Sequence, residues 1–250
     1  MAHSHMFWTL ASLLGGVAAC SGDEPTTTDY EQAAQVIGSL SANVDAGDTH
    51  AFLDAQLIGN GGMPSGFSVD AGGKIAGSSA GVSYAFVVEC RDANHAVQDR
   101  CGATTDSADV GLAWTGNLTL PHLSATASRE GHVVLTDLTQ NVSTVDGGGS
   151  FTLDAHLESW LQPKTTDLHF EVTSDYDQLH ISKSPRGIVD GTIHYTVDAS
   201  SKTTNQASHD VSIDAVLTIT PSVLGAQGTL VLDGTQTFNV DLQTGRIWHL

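Results

Sequence analysis

The chain carries 12 histidines and 28 acidic side chains, the residue types from which proton-transfer and metal sites are most often built. His156, His169, His180 and His194 each fall within a run that alternates apolar and polar residues. The alternation places His156 and His194 on a solvent face, where neighbouring strands can bring two imidazoles together. A hydrolase made this way needs a histidine and a carboxylate within hydrogen-bond reach in one cleft. Beyond residue 19 there is no His-x-His or His-Glu-x-x-His pairing, so these histidines read first as surface residues. The acidic groups Asp45/Asp48, Asp175/Asp177 and Asp146 supply the oxygen ligands that calcium prefers, but the EF-hand spacing is missing. Asp and Gly are also what turns require. Gly77-Ser78-Ser79-Ala80-Gly81 has the Gly-x-Ser-x-Gly spacing. A nucleophile elbow needs a helix after it, whereas Val82 to Val88 reads as a strand, so residues 77–81 are expected to form a flexible turn. Trp114, Trp160, Trp248 and Tyr195 would form a stacking platform for carbohydrate or another apolar ligand if they shared a face, and Trp160 lies on the polar parity of its strand. No phosphate-binding Gly-Lys loop or dinucleotide fingerprint occurs. These patterns assign no catalytic residue, no metal and no cofactor.

The three cysteines carry more information. Residues 7–19 form an apolar stretch of signal-peptide length, shorter than the roughly 20 residues a membrane-spanning helix needs. It ends in Leu14-Gly15-Gly16-Val17-Ala18-Ala19-Cys20-Ser21, which resembles the lipobox of bacterial lipoproteins. The resemblance implies cleavage before Cys20 and lipidation of its sulfur. The first residues hold no Lys or Arg, so the terminal amine, His3 and His5 supply what positive charge they have. In the lipoprotein sorting rule, Ser21 in place of Asp implies release to the outer membrane. With Cys20 lipidated, Cys90 and Cys101 remain as a pair in an oxidising compartment, and a disulfide is expected. A metal site using His95 lacks the close Cys-x-x-Cys spacing.

Composition sets the outer limits. Nine basic residues against 28 acidic ones give a formal net charge of −19, all of it beyond residue 19. Such a field repels nucleic acid and anionic headgroups, so the one expected partner is a membrane reached through the lipid. Any protein or small-molecule partner stays unidentified at this level. The expected organisation is a signal peptide at 1–19, a lipidated cysteine and polar tether at 20–28, and one domain at 29–250.

Within that domain, Tyr30, Ala33, Ala34, Ile37 and Leu40 recur at helical steps after a cap at Thr28 or Asp29. Residues 45–66 read as irregular, with a possible short element at Ala51 to Leu57. From Phe67 onward the dominant period is two, as in Phe151 to Leu157, Val211 to Ile219 and Phe238 to Leu242. Turn clusters are expected at Gly147-Gly148-Gly149, Asp175-Tyr176-Asp177, Ser184-Pro185-Arg186-Gly187, Asp233-Gly234 and Thr244-Gly245. The fold class is therefore mainly β: an antiparallel meander of roughly ten strands forming a curved sheet or barrel, with one N-terminal helix. A membrane-spanning barrel is disfavoured, since Asp154, His156, Glu158, Asp214 and Asp241 lie opposite the apolar face.

Residues 101–110, 120–123, 128–131, 228–234 and 241–245 resemble uncharacterised lipoproteins of myxobacterial type. That resemblance implies fold and location and brings no activity. The leading expectation is a non-enzymatic, lipid-anchored envelope or surface protein with a structural or binding role. A carrier of lipid or another hydrophobe inside a barrel is the alternative, and a hydrolase with an Asp/His site is the second alternative.

Overall fold

A computed structural model describes residues 24–44, 46–71, 73–79, 81–159, 164–221 and 227–250. The expectations for the signal segment, Cys20, Asp45 and Trp160 lie outside the described residues.

The first helix, α1 (Thr27–Ser41), starts earlier than its apolar stripe suggests. Thr26 is the cap: its Oγ1 accepts from the Asp29 amide at 3.3 Å, while Asp29 accepts from the Thr26 amide at 2.7 Å. This reciprocal capping box satisfies two donors that a helix end otherwise leaves open. A second helix, α2 (Asp48–Gly59), lies in the segment read as irregular and extends the short element read at Ala51 to Leu57 at both ends. Ten of its 12 residues are buried, so it has no polar stripe and periodicity alone does not reveal it.

The remainder is one 13-stranded antiparallel sheet. Its strands are β1 (Phe67–Val69), β2 (Ile75–Ser79), β3 (Val82–Arg91), β4 (Val97–Gln98), β5 (Ser107–Leu120), β6 (Leu123–Thr136), β7 (Val142–Glu158), β8 (Thr165–Lys183), β9 (Arg186–Thr203), β10 (His209–Thr220), β11 (Gln227–Leu232), β12 (Gln236–Asp241) and β13 (Arg246–His249). Each strand pairs with the next in sequence, except that β4 folds back on β3 and β5 takes its place in the path. The Cys90–Cys101 disulfide forms as expected and closes that hairpin. No pairing joins β1 to β13 among the described residues, so the sheet is curved and open at its edges.

Two expected turns are strand interior. Gly147 to Gly149 lie within β7, and Asp175 to Asp177 within β8. A Cβ at Gly147 would stand 2.3 Å from the His132 carbonyl oxygen, and one at Gly149 would stand 2.5 Å from that of Glu130. Gly147 also has φ of +134° and sits at a register shift in the β7–β8 pairing. The glycines therefore mark a bulge and a sharp bend, which the sheet needs to wrap around α2. Asp175-Tyr176-Asp177 is ordinary alternation, with Tyr176 buried between two outward carboxylates. Residues 77–79, expected as part of a flexible turn over 77–81, fall in β2 instead, and Gly77 faces Phe67 at a distance that admits no side chain.

Alternation gives the sheet a concave apolar face and a convex polar one. Both helices fill the concave side. The β5–β6, β7–β8 and β9–β10 hairpins turn at one end of the sheet, and the β6–β7 and β8–β9 hairpins turn at the other. Helix α1 begins at the first end, where Asp29 meets His209 at 3.0 Å, and finishes beside Leu242, whose carbonyl accepts from the Asn43 amide. Helix α2 runs to the second end, where Lys183 donates to Asn60 and Gln56 donates to Ser143.

Candidate functional site

Side chains able to do chemistry fall into two sets, one on each face of the sheet. The inner set centres on Arg129 of β6, whose side chain is 1% exposed. Its Nε donates to Asp48 Oδ1 and its Nη2 to Asp48 Oδ2, both at 3.0 Å, a bidentate pair with the first residue of α2. Nη2 also donates to Ser174 Oγ at 2.7 Å and contacts the Tyr176 hydroxyl. Tyr176 in turn donates to Asp48 Oδ2 at 2.6 Å. Beside this cluster, Tyr195 shares a hydrogen bond with Ser41 at 2.9 Å, and the Tyr84 hydroxyl accepts from the Ala46 amide at 2.5 Å. Both link the α1–α2 connection to the sheet. Burial opposes the charge on Arg129, but the Asp48 carboxylate outweighs it and holds the guanidinium firmly protonated. Burial first and Asp48 second push the Tyr176 and Tyr195 hydroxyls upward, so both stay neutral.

This arrangement removes two of the weaker alternatives that the sequence offered. Asp48 is not a calcium ligand in a loop; it is the counter-ion of a buried arginine. Trp114 and Tyr195 cannot form an exposed platform, because both are core residues. Trp248 is exposed, but on β13 and without them. Arg129 escaped the sequence reading because Ser128-Arg129-Glu130 looks like a solvent-facing charge pair. Only the parity of β6 across its whole length puts 129 inward with Ala127 and Val133. The carboxylate is engaged by the guanidinium and by the Tyr176 hydroxyl out of reach of solvent, while Arg129 Nη1 is buried without a hydrogen-bond partner.

The outer set is the histidine group. In register across β6, β7 and β8 stand Ser124, His156 and Asp167. One pleat away, Ser200, His169 and Asp154 stand across β9, β8 and β7 in the opposite order. His156 Nδ1 lies 2.6 Å from Asp167 Oδ1, and His169 Nδ1 lies 2.8 Å from Asp154 Oδ1. The two pairs line one shallow groove of about 410 Å³, together with Thr126, Lys202 and Ser208. A neighbouring hollow of about 490 Å³ holds Glu171 and Asp198, which face each other across β8 and β9. Elsewhere on this face His132 meets Asp109 and His180 meets Asp190, each at 2.5 Å. Thus His156, His169 and His180 each meet a carboxylate across a strand boundary, while His194 stands opposite Asp175 in register.

Ser-His-Asp in a row is the composition of a nucleophilic triad, but the surroundings do not support one. Both aspartates and both histidines are 43–64% exposed, and strand amides engaged in ladder bonds offer no preorganised donors for an oxyanion. Ser79 likewise lies in β2, followed by β3 and not by a helix. Among the described residues no group of three or more His, Cys, Asp or Glu is placed to hold a metal ion. Asp146 accepts from the Gln178 amide at 2.9 Å, which accounts for it as a structural acceptor at the bulge.

Fold and sites together define a class: a curved antiparallel meander wrapped on two helices, with the Arg129–Asp48 ion pair sealed inside and His132, His156, His169 and His180 on the outer face. Comparison of the chain with family models, with curated proteins and with solved structures finds no match.

Proposed function

We propose that the chain is a non-catalytic, lipid-anchored protein of the bacterial envelope, exported and held at the outer membrane on its periplasmic or outer side through acylated Cys20. The observation that carries this reading is the sequence Leu14 to Ser21 at the end of an apolar stretch too short to span a bilayer. A disulfide between the two remaining cysteines agrees with life in an oxidising compartment. The carrier alternative has less support. Its cargo would need interior volume, and α1, α2 and the side chains around Phe52, Trp114, Phe151 and Phe238 occupy the concave side. The hydrolase alternative keeps one favourable observation, the Ser124–His156–Asp167 row, and lacks an oxyanion site and an enclosing cleft.

The test is the mass of the mature chain purified from bacterial membranes. A diacylglyceryl-modified Cys20 as first residue is the expected result, and Cys20→Ser should release the protein into the soluble fraction. A membrane-extracted chain that retains an unmodified Met1 would end this reading.

A further inference from the structure

The end of the sheet at which α1 begins carries an apolar row that the core covers only in part. Leu120 of β5, Leu123 of β6 and Leu157 of β7 are directly opposite one another in register, so their side chains share the concave face. Pro121 and His122 make the turn between the first two strands, and both are exposed. Leu120 is 46% exposed, Leu123 is half-buried, and Leu157 packs partly against the core from beside them. The next row inward is Leu118, Ala125, Ala155, Leu168, Ser201 and His209. His209 in that row is the residue that bonds Asp29 in the first turn of α1. The start of the helix is thereby fixed at the same end of the sheet, against β10 and three to five strands across from the leucine row. From Thr26 back to Cys20 there are six residue steps, and covalent geometry limits their reach to about 20 Å.

We propose that the Leu120–Leu123–Leu157 row and Pro121 rest in the headgroup and acyl boundary of the bilayer that holds the lipid anchor, so that the sheet stands end-on to the membrane. The inference rests on the lipoprotein reading and adds an orientation to it. Its occupant is a zwitterionic lipid surface, because the net charge of −19 opposes close approach to anionic headgroups. Half-exposed leucines gain by leaving water for the interfacial acyl region, and the short tether holds them beside it. The nearest charged groups at the turn, His122 and Glu158, pair at 3.5 Å and can remain at headgroup level.

The experiment uses the acylated full chain on phosphatidylcholine vesicles containing a spin-labelled lipid quencher. A bimane label is placed at Leu120→Cys, and in a separate variant at Gln140→Cys, which lies at the opposite end of the sheet on the β6–β7 turn. A third variant, His122→Cys, samples the same tip without altering the leucine row. Labels at 120 and 122 are expected to be quenched several-fold more than the label at 140. Equal quenching at all three sites, or none at any while the chain is vesicle-bound, overturns the end-on contact and leaves the anchor intact. A chain that shows no acyl mass and no vesicle association removes the anchor itself, and this inference falls with it.

Discussion

The same chemical pair, a basic side chain against an aspartate at 2.5–3.0 Å, occurs on both faces of this sheet with opposite consequences. Inside, Arg129 and Asp48 have lost their water, and the hydroxyls of Ser174 and Tyr176 are turned toward them. Outside, the histidine–aspartate pairs sit in water, each bridging two neighbouring strands without fixing their positions. Coulomb attraction is several-fold stronger in the protein interior than in water, but so is the penalty for leaving a charge alone there. Position, and not residue type, therefore decides which pairs hold the fold. The inner pair ties the first residue of α2 to the middle of β6 and so fixes how the plug sits in the sheet. The outer pairs leave imidazoles available to solvent.

The comparison can be broken most directly at Arg129. Arg129→Met leaves Asp48 buried without its cation and is expected to cost about 3–5 kcal/mol in denaturant unfolding. Adding Asp48→Leu should cost less than the sum of the two single changes by about 0.5–3 kcal/mol, the coupling expected of directly paired groups. Simple additivity would show that the inner pair does not act as a unit. Removing the disulfide by Cys90→Ser with Cys101→Ser tests the hairpin that lies outside both sets. Its 11-residue separation implies a loss of about 2–3 kcal/mol, chiefly through a freer unfolded chain.

A smaller effect is expected at the start of α1. Thr26→Ala removes the capping hydroxyl and should cost about 1 kcal/mol. Burial raises the Asp29 carboxyl, but the hydrogen bonds from Thr26 and His209 prevail and bring it below its ordinary value of 3.8. A carboxyl lowered in the folded state adds stability above the unfolded value and loses it as pH falls through the folded one. The thermal midpoint should therefore fall more steeply with acid below about pH 4 in the native chain than in Thr26→Ala. The smallest change is expected outside. His156→Ala or His169→Ala should shift stability by about 1 kcal/mol or less, and by less still in high salt. A loss as large as that at Arg129 would erase the distinction between the two faces.

How much of this was legible beforehand varies by element. The stripe Ala33, Ala34, Ile37, Leu40 gave α1, because a helix lying on a sheet must be apolar on one side only. Helix α2 shows in the sequence only as a short element of no assigned type at Ala51 to Leu57, because Phe52, Leu53, Ala55 and Ile58 are all buried and the helix has no single apolar stripe. The strand count is low in the sequence because β1, β2, β4 and β13 are too short to show a period, whereas turns at Gly147 to Gly149 and Asp175 to Asp177 would cut the long strands β7 and β8 in two. Glycine and aspartate mark turns by their local preferences, but here the glycines permit close strand approach and the aspartates face water. For the sites, His156 was legible as an outward residue, while its partner Asp167 was not, since register lies beyond local sequence.

Alternation of residue types, cysteine number and the apolar stretch before Cys20 are properties of short windows, and the sequence determines them alone. It thus set the strand-rich class, the paired cysteines and the expectation of an anchor. Which carboxylate meets Arg129, which histidine meets which aspartate, and which leucines line up at one end of the sheet were decided by tertiary structure. Those contacts join residues up to 81 positions apart, and they depend on strand register and on the bulge at the β7 glycines. A one-residue slip would reverse every facing, so no local pattern could carry that information.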